Sequence, residues 1–195
     1  MKALPLAQTV LDFWFGVPGS PEHGKPRECW FRKDADFDAA IRARFGSVVS
    51  EALAGGLVDW AGDPRSALAL LVLLDQFPRN LFRLSAEAFA GDARARVLAR
   101  EIVAARWDGG LAPVERVFVY LPFEHSEDGA DQDRAVALFA ALAQAQSGFA
   151  GFLDYAERHR EVIRRFGRFP HRNAALGRAS TPAEALYLAQ PGSGF

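Results

Sequence analysis

Arginine, histidine and asparagine gather beside proline at three places: Phe77-Pro78-Arg79-Asn80, Leu121-Pro122-Phe123-Glu124-His125-Ser126-Glu127, and Arg168-Phe169-Pro170-His171-Arg172-Asn173. A guanidinium is a planar fork of N–H donors that grips a carboxylate or phosphate through paired bonds. The three segments are expected to converge on one polar pocket, in which Arg79, Asn80, Arg168, His171, Arg172 and Asn173 are the ligand-binding residues, for a small anion bearing phosphate or carboxylate. Imidazole titrates near neutrality and a neighbouring carboxylate fixes its tautomer. His125 is thus the candidate general acid or base, with Glu127 or Asp75 as its orienting carboxylate. The competing expectation is structural, since the same donors can satisfy the orphan carbonyls at helix ends and stitch helices together. Asp75 follows an apolar run and needs a cation in either case, because an unpaired buried carboxylate is costly. The arginines of residues 165–172 are the expected partners.

Other chemistries find less support. His125, His159 and His171 could meet Glu127 or Asp75 around an ion, but no paired ligand spacing recommends it, and neither metal nor cofactor is expected. His159 falls on the apolar stripe of its helix and reads as a hydrogen-bonded core histidine. The single cysteine, Cys29, cannot form an internal disulfide, and its neighbours Trp30 and Phe31 suggest a buried, inert thiol. A formal net charge of -1 gives no global attraction to nucleic acid or to an anionic membrane. The arginine-rich stretch from Arg158 to Arg178 begins on a helix face shared with Glu157 and Glu161, the pattern of a self-paired solvated surface. Residues 67–74 are continuously apolar but far short of the ~20 residues that span a bilayer. The first residues lack a signal-peptide pattern, so the expected location is cytoplasmic.

The elements that must position these groups are helices. No segment alternates with period two between hairpin turns, whereas three- to four-residue periodicity recurs throughout, so the fold class is all-α. Residues 34–54 place Phe37, Ile41, Phe45, Val48 and Ala52 on one face, with Asp34 or Asp36 as cap and Gly55-Gly56 as stop. Asp63-Pro64 opens a helix, apolar all round, that reaches Leu74. Asp92 caps a helix running to about Arg106, Pro113 begins one to Tyr120, and others cover 131–146 and 149–166. Thr181-Pro182-Ala183-Glu184 is a capping box for the last helix. Proline lacks the N–H of the helical ladder, so Pro78, Pro122 and Pro170 are each expected to stop a helix. These prolines lie roughly 45 residues apart, a period that suits stacked helix hairpins, and the short connections favour antiparallel pairs. With half of the residues hydrophobic, 195 residues can form a substantial core. A single domain over 1–190 with a flexible tail at 191–195 is expected.

Longer strings carry a resemblance. Leu73-Leu74-Asp75-Gln76-Phe77-Pro78-Arg79-Asn80, Tyr120-Leu121-Pro122-Phe123-Glu124-His125-Ser126-Glu127 and Arg165 through Asn173, with Gly177-Arg178 and Ser180-Thr181, resemble the bacterial domain-of-unknown-function family numbered 924. Phe13-Trp14-Phe15-Gly16 and Trp30-Phe31 extend the likeness over nearly the whole chain. The resemblance implies an all-helical fold akin to the tetratricopeptide superhelix, right-handed or closed into a compact array, and no particular reaction, cofactor or substrate. True tetratricopeptide signatures are missing, so that likeness is architectural. Two functions stay open: a pocket for a small anion with acid/base capability, or a protein-interaction scaffold in which the polar clusters are stitches.

Overall fold

A computed structural model describes residues 5–194; Met1–Leu4 and Phe195, the last residue of the expected tail, lie outside it. The described residues form helices and turns with no strand. In chain order the helices are α1 (Pro5–Phe15), α2 (Ala35–Leu53), α3 (Pro64–Leu71), α4 (Phe77–Leu81), α5 (Asp92–Ala104), α6 (Pro113–Glu124), α7 (Gly129–Ala145), α8 (Ala150–Phe166) and α9 (Pro182–Leu188). None of them is long and apolar enough to cross a membrane.

Local chemistry accounts for most boundaries. The Asp34 carboxylate accepts from the Asp36 and Phe37 amides and Asp63 does the same for Arg65 and Ser66, each satisfying orphan donors of a first turn. Thr181 and Glu184 form a reciprocal capping box. Asp92 departs from expectation: Gly91 is the N-cap and Asp92 is the first helical residue, its carboxylate drawn away by Arg79.

The prolines also depart from expectation. Between α3 and α4 the chain makes one wide π turn, Val72–Gln76, and continues as helix through Pro78 to Leu81. A proline ring collides with the carbonyl four residues earlier, here that of Leu74, and cannot bond to it. The π turn inserts a residue at that point, with the Phe77 N–H reaching the Val72 carbonyl, so the helix passes the proline. The Leu74 carbonyl then faces Gly91, where a Cβ would stand only 2.1 Å from its oxygen. Pro122 lies inside α6, which runs two residues beyond it. So near a helix end a missing N–H costs a single bond. The Gln132 amide then donates to the carbonyls of Glu124 and Ser126 at 2.6 and 2.7 Å. α8 is closed by Gly167 in the left-handed region (φ 70), and Phe169-Pro170 falls beyond it, in a tight turn over Pro170–Arg172.

The chain divides into two units, Met1–Arg83 with Glu87–Pro122, and Leu84–Ala86 with Phe123–Phe195. In the first, α3 is buried from Ser66 onward and packs against α1 and α5. Rings fill its interior: Trp14 lies 5.8 Å from Trp30, 5.5 Å from Phe77 and 5.5 Å from Phe118, and Phe13 meets Phe37 at 5.1 Å. Each such pair adds about 0.5–1.5 kcal/mol to simple burial. Trp60 is likewise buried, and half-buried Cys29 has its thiol pushed up by burial. In the second unit α7 and α8 form a closely packed hairpin, with Phe139 stacked on Phe152. Val162, Ile163 and Phe169 form a core flanked by Phe166 and Tyr187.

Candidate functional site

In the first unit, the wide turn presents Asp75 and Gln76 into the interior, at 1% and 6% exposure. The Gln76 amide donates to Asp75 Oδ2. Within this unit the cation for Asp75 is Arg79, one turn further on, with Nη1 3.2 Å from Oδ1. The same guanidinium donates from Nη1 and Nη2 to the two oxygens of Asp92, at 2.8 and 3.0 Å, and lies over the Phe89 ring. Burial works against the Arg79 charge, and Asp75 and Asp92 reverse that, holding its pKa above the usual arginine value. Asn80 points elsewhere: Nδ2 donates to Asp38 Oδ1 at 2.7 Å, and Arg83 donates to both oxygens of Asp38.

In the second unit, Arg168 donates to both oxygens of Glu184, at 2.6 and 2.8 Å, and to the Ala179 carbonyl. The Arg168 bond, helped by the Thr181 N–H, pulls the Glu184 carboxyl down to about 2. Asn173 donates to Ser180 Oγ and accepts from Arg178 Nε, each at 3.0 Å. Glu127 accepts two bonds from Arg178 and one from the Phe169 N–H at 2.7 Å. Burial alone would raise the Glu127 pKa, but Arg178 and that N–H hold it below the ordinary carboxylate value.

Beside these pairs the same unit places two histidines, His159 and His171, against the Phe169 ring, and a third, His125, beside His159. The His159 ring lies 5.5 Å from Phe169, His171 lies 5.5 Å from Phe169, and the Arg172 guanidinium covers Phe169 at 4.6 Å. The His125 ring is 6.4 Å from His159. His159 is only 4% exposed; Nδ1 donates to the Tyr155 carbonyl at 2.9 Å and stands 3.1 Å from Glu124 Oε1. Burial, with His125, His171 and Arg172 nearby, pushes its pKa down to about 3 against the pull of the Tyr155 carbonyl. At neutral pH this imidazole is uncharged, with its proton on Nδ1. His125 and His171 are half-buried, and Arg172 is buried. Among the described residues no group of three His, Cys, Asp or Glu side chains is placed to hold a metal ion.

Sequence patterns did not reveal the partners Asp38, Asp92, Arg178 and Glu184. Asp92 and Glu184 were visible only as capping residues.

Fold and sites together define an all-α protein whose arginine forks largely close on internal carboxylates, and whose second unit also carries a cluster of imidazoles. The chain belongs to the family described as "Bacterial protein of unknown function (DUF924)", which matches residues 10–192. It is also similar to a solved structure, that of the protein of unknown function ATU0120 from Agrobacterium tumefaciens, at 42% identity and a TM-score of 0.81, covering 94% of this chain and 97% of that one. No curated protein matches.

Proposed function

We propose that the protein binds a small phosphate- or carboxylate-bearing ligand at the cluster of His125, His171 and Arg172, with His125 able to exchange a proton with it. The observation that carries this reading is the placing of two imidazoles and a guanidinium against Phe169, with a third imidazole, His125, beside His159. Arg172 supplies a fixed positive charge in a poorly solvated setting, where attraction for an anion is strengthened. His171 and His125 retain access to solvent and can add hydrogen-bond donors. The neutral His159 contributes orientation without competing charge. Arg79, Arg168 and Asn173, the remaining arginine and asparagine candidates apart from Asn80, serve this reading as supports, because their donors engage internal partners.

A thermal-melting series of the full chain with phosphorylated and carboxylated metabolites tests the proposal. A ligand at a hundredfold its dissociation constant stabilises the folded state by ~2.7 kcal/mol. At least one such ligand should raise the melting temperature, less so in His171→Gln. No response to any of them would count against the reading. The scaffold alternative, helix pairs in a tetratricopeptide-like array, draws support from the two-pronged pairs Arg79–Asp92, Arg168–Glu184 and Arg178–Glu127, and it expects that null result.

A further inference from the structure

A different part of the first unit carries a second charged site. Lys33, Asp38 and Arg42, at the start of α2 and along it, and Asn80, Leu81 and Arg83, at the end of α4, line an open groove of about 550 Å³.

Three cations face one carboxylate there. Asp38 is already engaged on both oxygens, by Asn80 at 2.7 Å and by Arg83 at 2.9 and 2.8 Å. Burial opposes its charge, but these bonds and the nearby Lys33 keep Asp38 ionised below the usual range, so its single negative charge is constant at neutral pH. Arg42 donates from Nη2 to the Leu81 carbonyl at 2.6 Å, which anchors the fork while its other N–H groups remain uncommitted. Among the described residues Arg42 has no carboxylate partner, and Lys33 makes neither a hydrogen bond nor an ion pair. The amide donors at the start of α2 are already occupied by Asp34, so the basic side chains are the anchoring feature.

We infer that this groove binds a phosphate monoester. Its formal excess of two positive charges matches the -1.5 to -2 that such a group carries near pH 7, against -1 for a carboxylate. An anchored guanidinium supplies paired donors and the ammonium a mobile point charge, a combination suited to a phosphoryl group with three oxygens. This inference stands apart from the imidazole cluster, and either can fail without the other.

The test is an NMR titration of the isotopically labelled full chain with phenyl phosphate and, separately, with benzoate. Phenyl phosphate should perturb backbone signals of residues 33–43 and 80–83, and should bind several-fold more tightly than benzoate. Lys33→Ala removes an exposed group with no described bond, so it leaves the fold intact and should weaken binding roughly three- to fivefold. Asp38→Asn removes the opposing charge and should tighten binding by a similar factor. Arg42→Ala should weaken it most, and because that change also uncaps Leu81 its melting curve is measured alongside. Perturbation confined to His125 and His171, equal affinity for benzoate, or affinities that do not move in opposite directions in Lys33→Ala and Asp38→Asn would each overturn the inference.

Discussion

Arg79 holds both carboxylate oxygens of Asp92, at 2.8 and 3.0 Å, while the same guanidinium neutralises Asp75 at the turn before it. One cation thus serves two carboxylates, one of them only 1% exposed. Removing one partner of a buried ion pair typically costs about 3–5 kcal/mol. Arg79→Ala should lose stability approaching that order in urea unfolding, and Asp92→Asn distinctly less, because the first change removes two ion pairs and the second leaves the Arg79–Asp75 pair in place. Equal losses would contradict a contribution of the Arg79–Asp75 pair to stability.

The π turn that carries the chain past Pro78 depends on Gly91. A methyl group there would collide with the Leu74 carbonyl, and the atoms it meets are all backbone. Overpacking of this kind costs about 1–3 kcal/mol, and rigid partners put this site at the upper end. Gly91→Ala should lower the urea midpoint accordingly, whereas Gly109→Ala, in open space, should not.

Much of this architecture was legible in the sequence. The caps at Asp34, Asp63 and Thr181 and the stripe of α8 rest on local rules, and local rules suffice where neighbours along the chain are the interacting groups. Helix α1 was not legible, because Phe13-Trp14-Phe15 bring aromatic residues one after another rather than at helical spacing, and their burial is a tertiary effect. The proline rule failed at Pro78 because Gly91, from a later helix, admits the displaced carbonyl. The candidate site was legible in its residue types but not in its pairings. Asn80 meets Asp38 and Arg178 meets Glu127 across more than forty residues of chain, distances at which spacing carries no information.

Acid should destabilise the protein in two steps. His159 has a folded pKa near 3 against an ordinary value of 6.5, so above pH 6.5 it is neutral in both states and contributes no slope. Below that, the unfolded chain binds a proton that the folded one refuses, and stability falls by ~1.4 kcal/mol per pH unit towards pH 3. Glu127 and Glu184 are depressed, so their stabilisation is complete above the ordinary carboxylate value of 4.5 and is lost as pH falls, for Glu184 towards about 2. Urea unfolding at a series of pH values should show a decline beginning near 6.5 that steepens below 4.5. His159→Gln should flatten the first step and leave the second.

The most direct measurement of the proposed function follows the imidazole resonances of His125, His159 and His171 by NMR while inorganic phosphate is added at neutral pH. The resonances of His125 and His171 should move in a saturable manner, and their titration curves should shift to higher pH, since a bound anion favours the imidazolium. His159 should remain neutral throughout. Unchanged His125 and His171 titration curves at phosphate concentrations well into the millimolar range would contradict an anion site at Phe169.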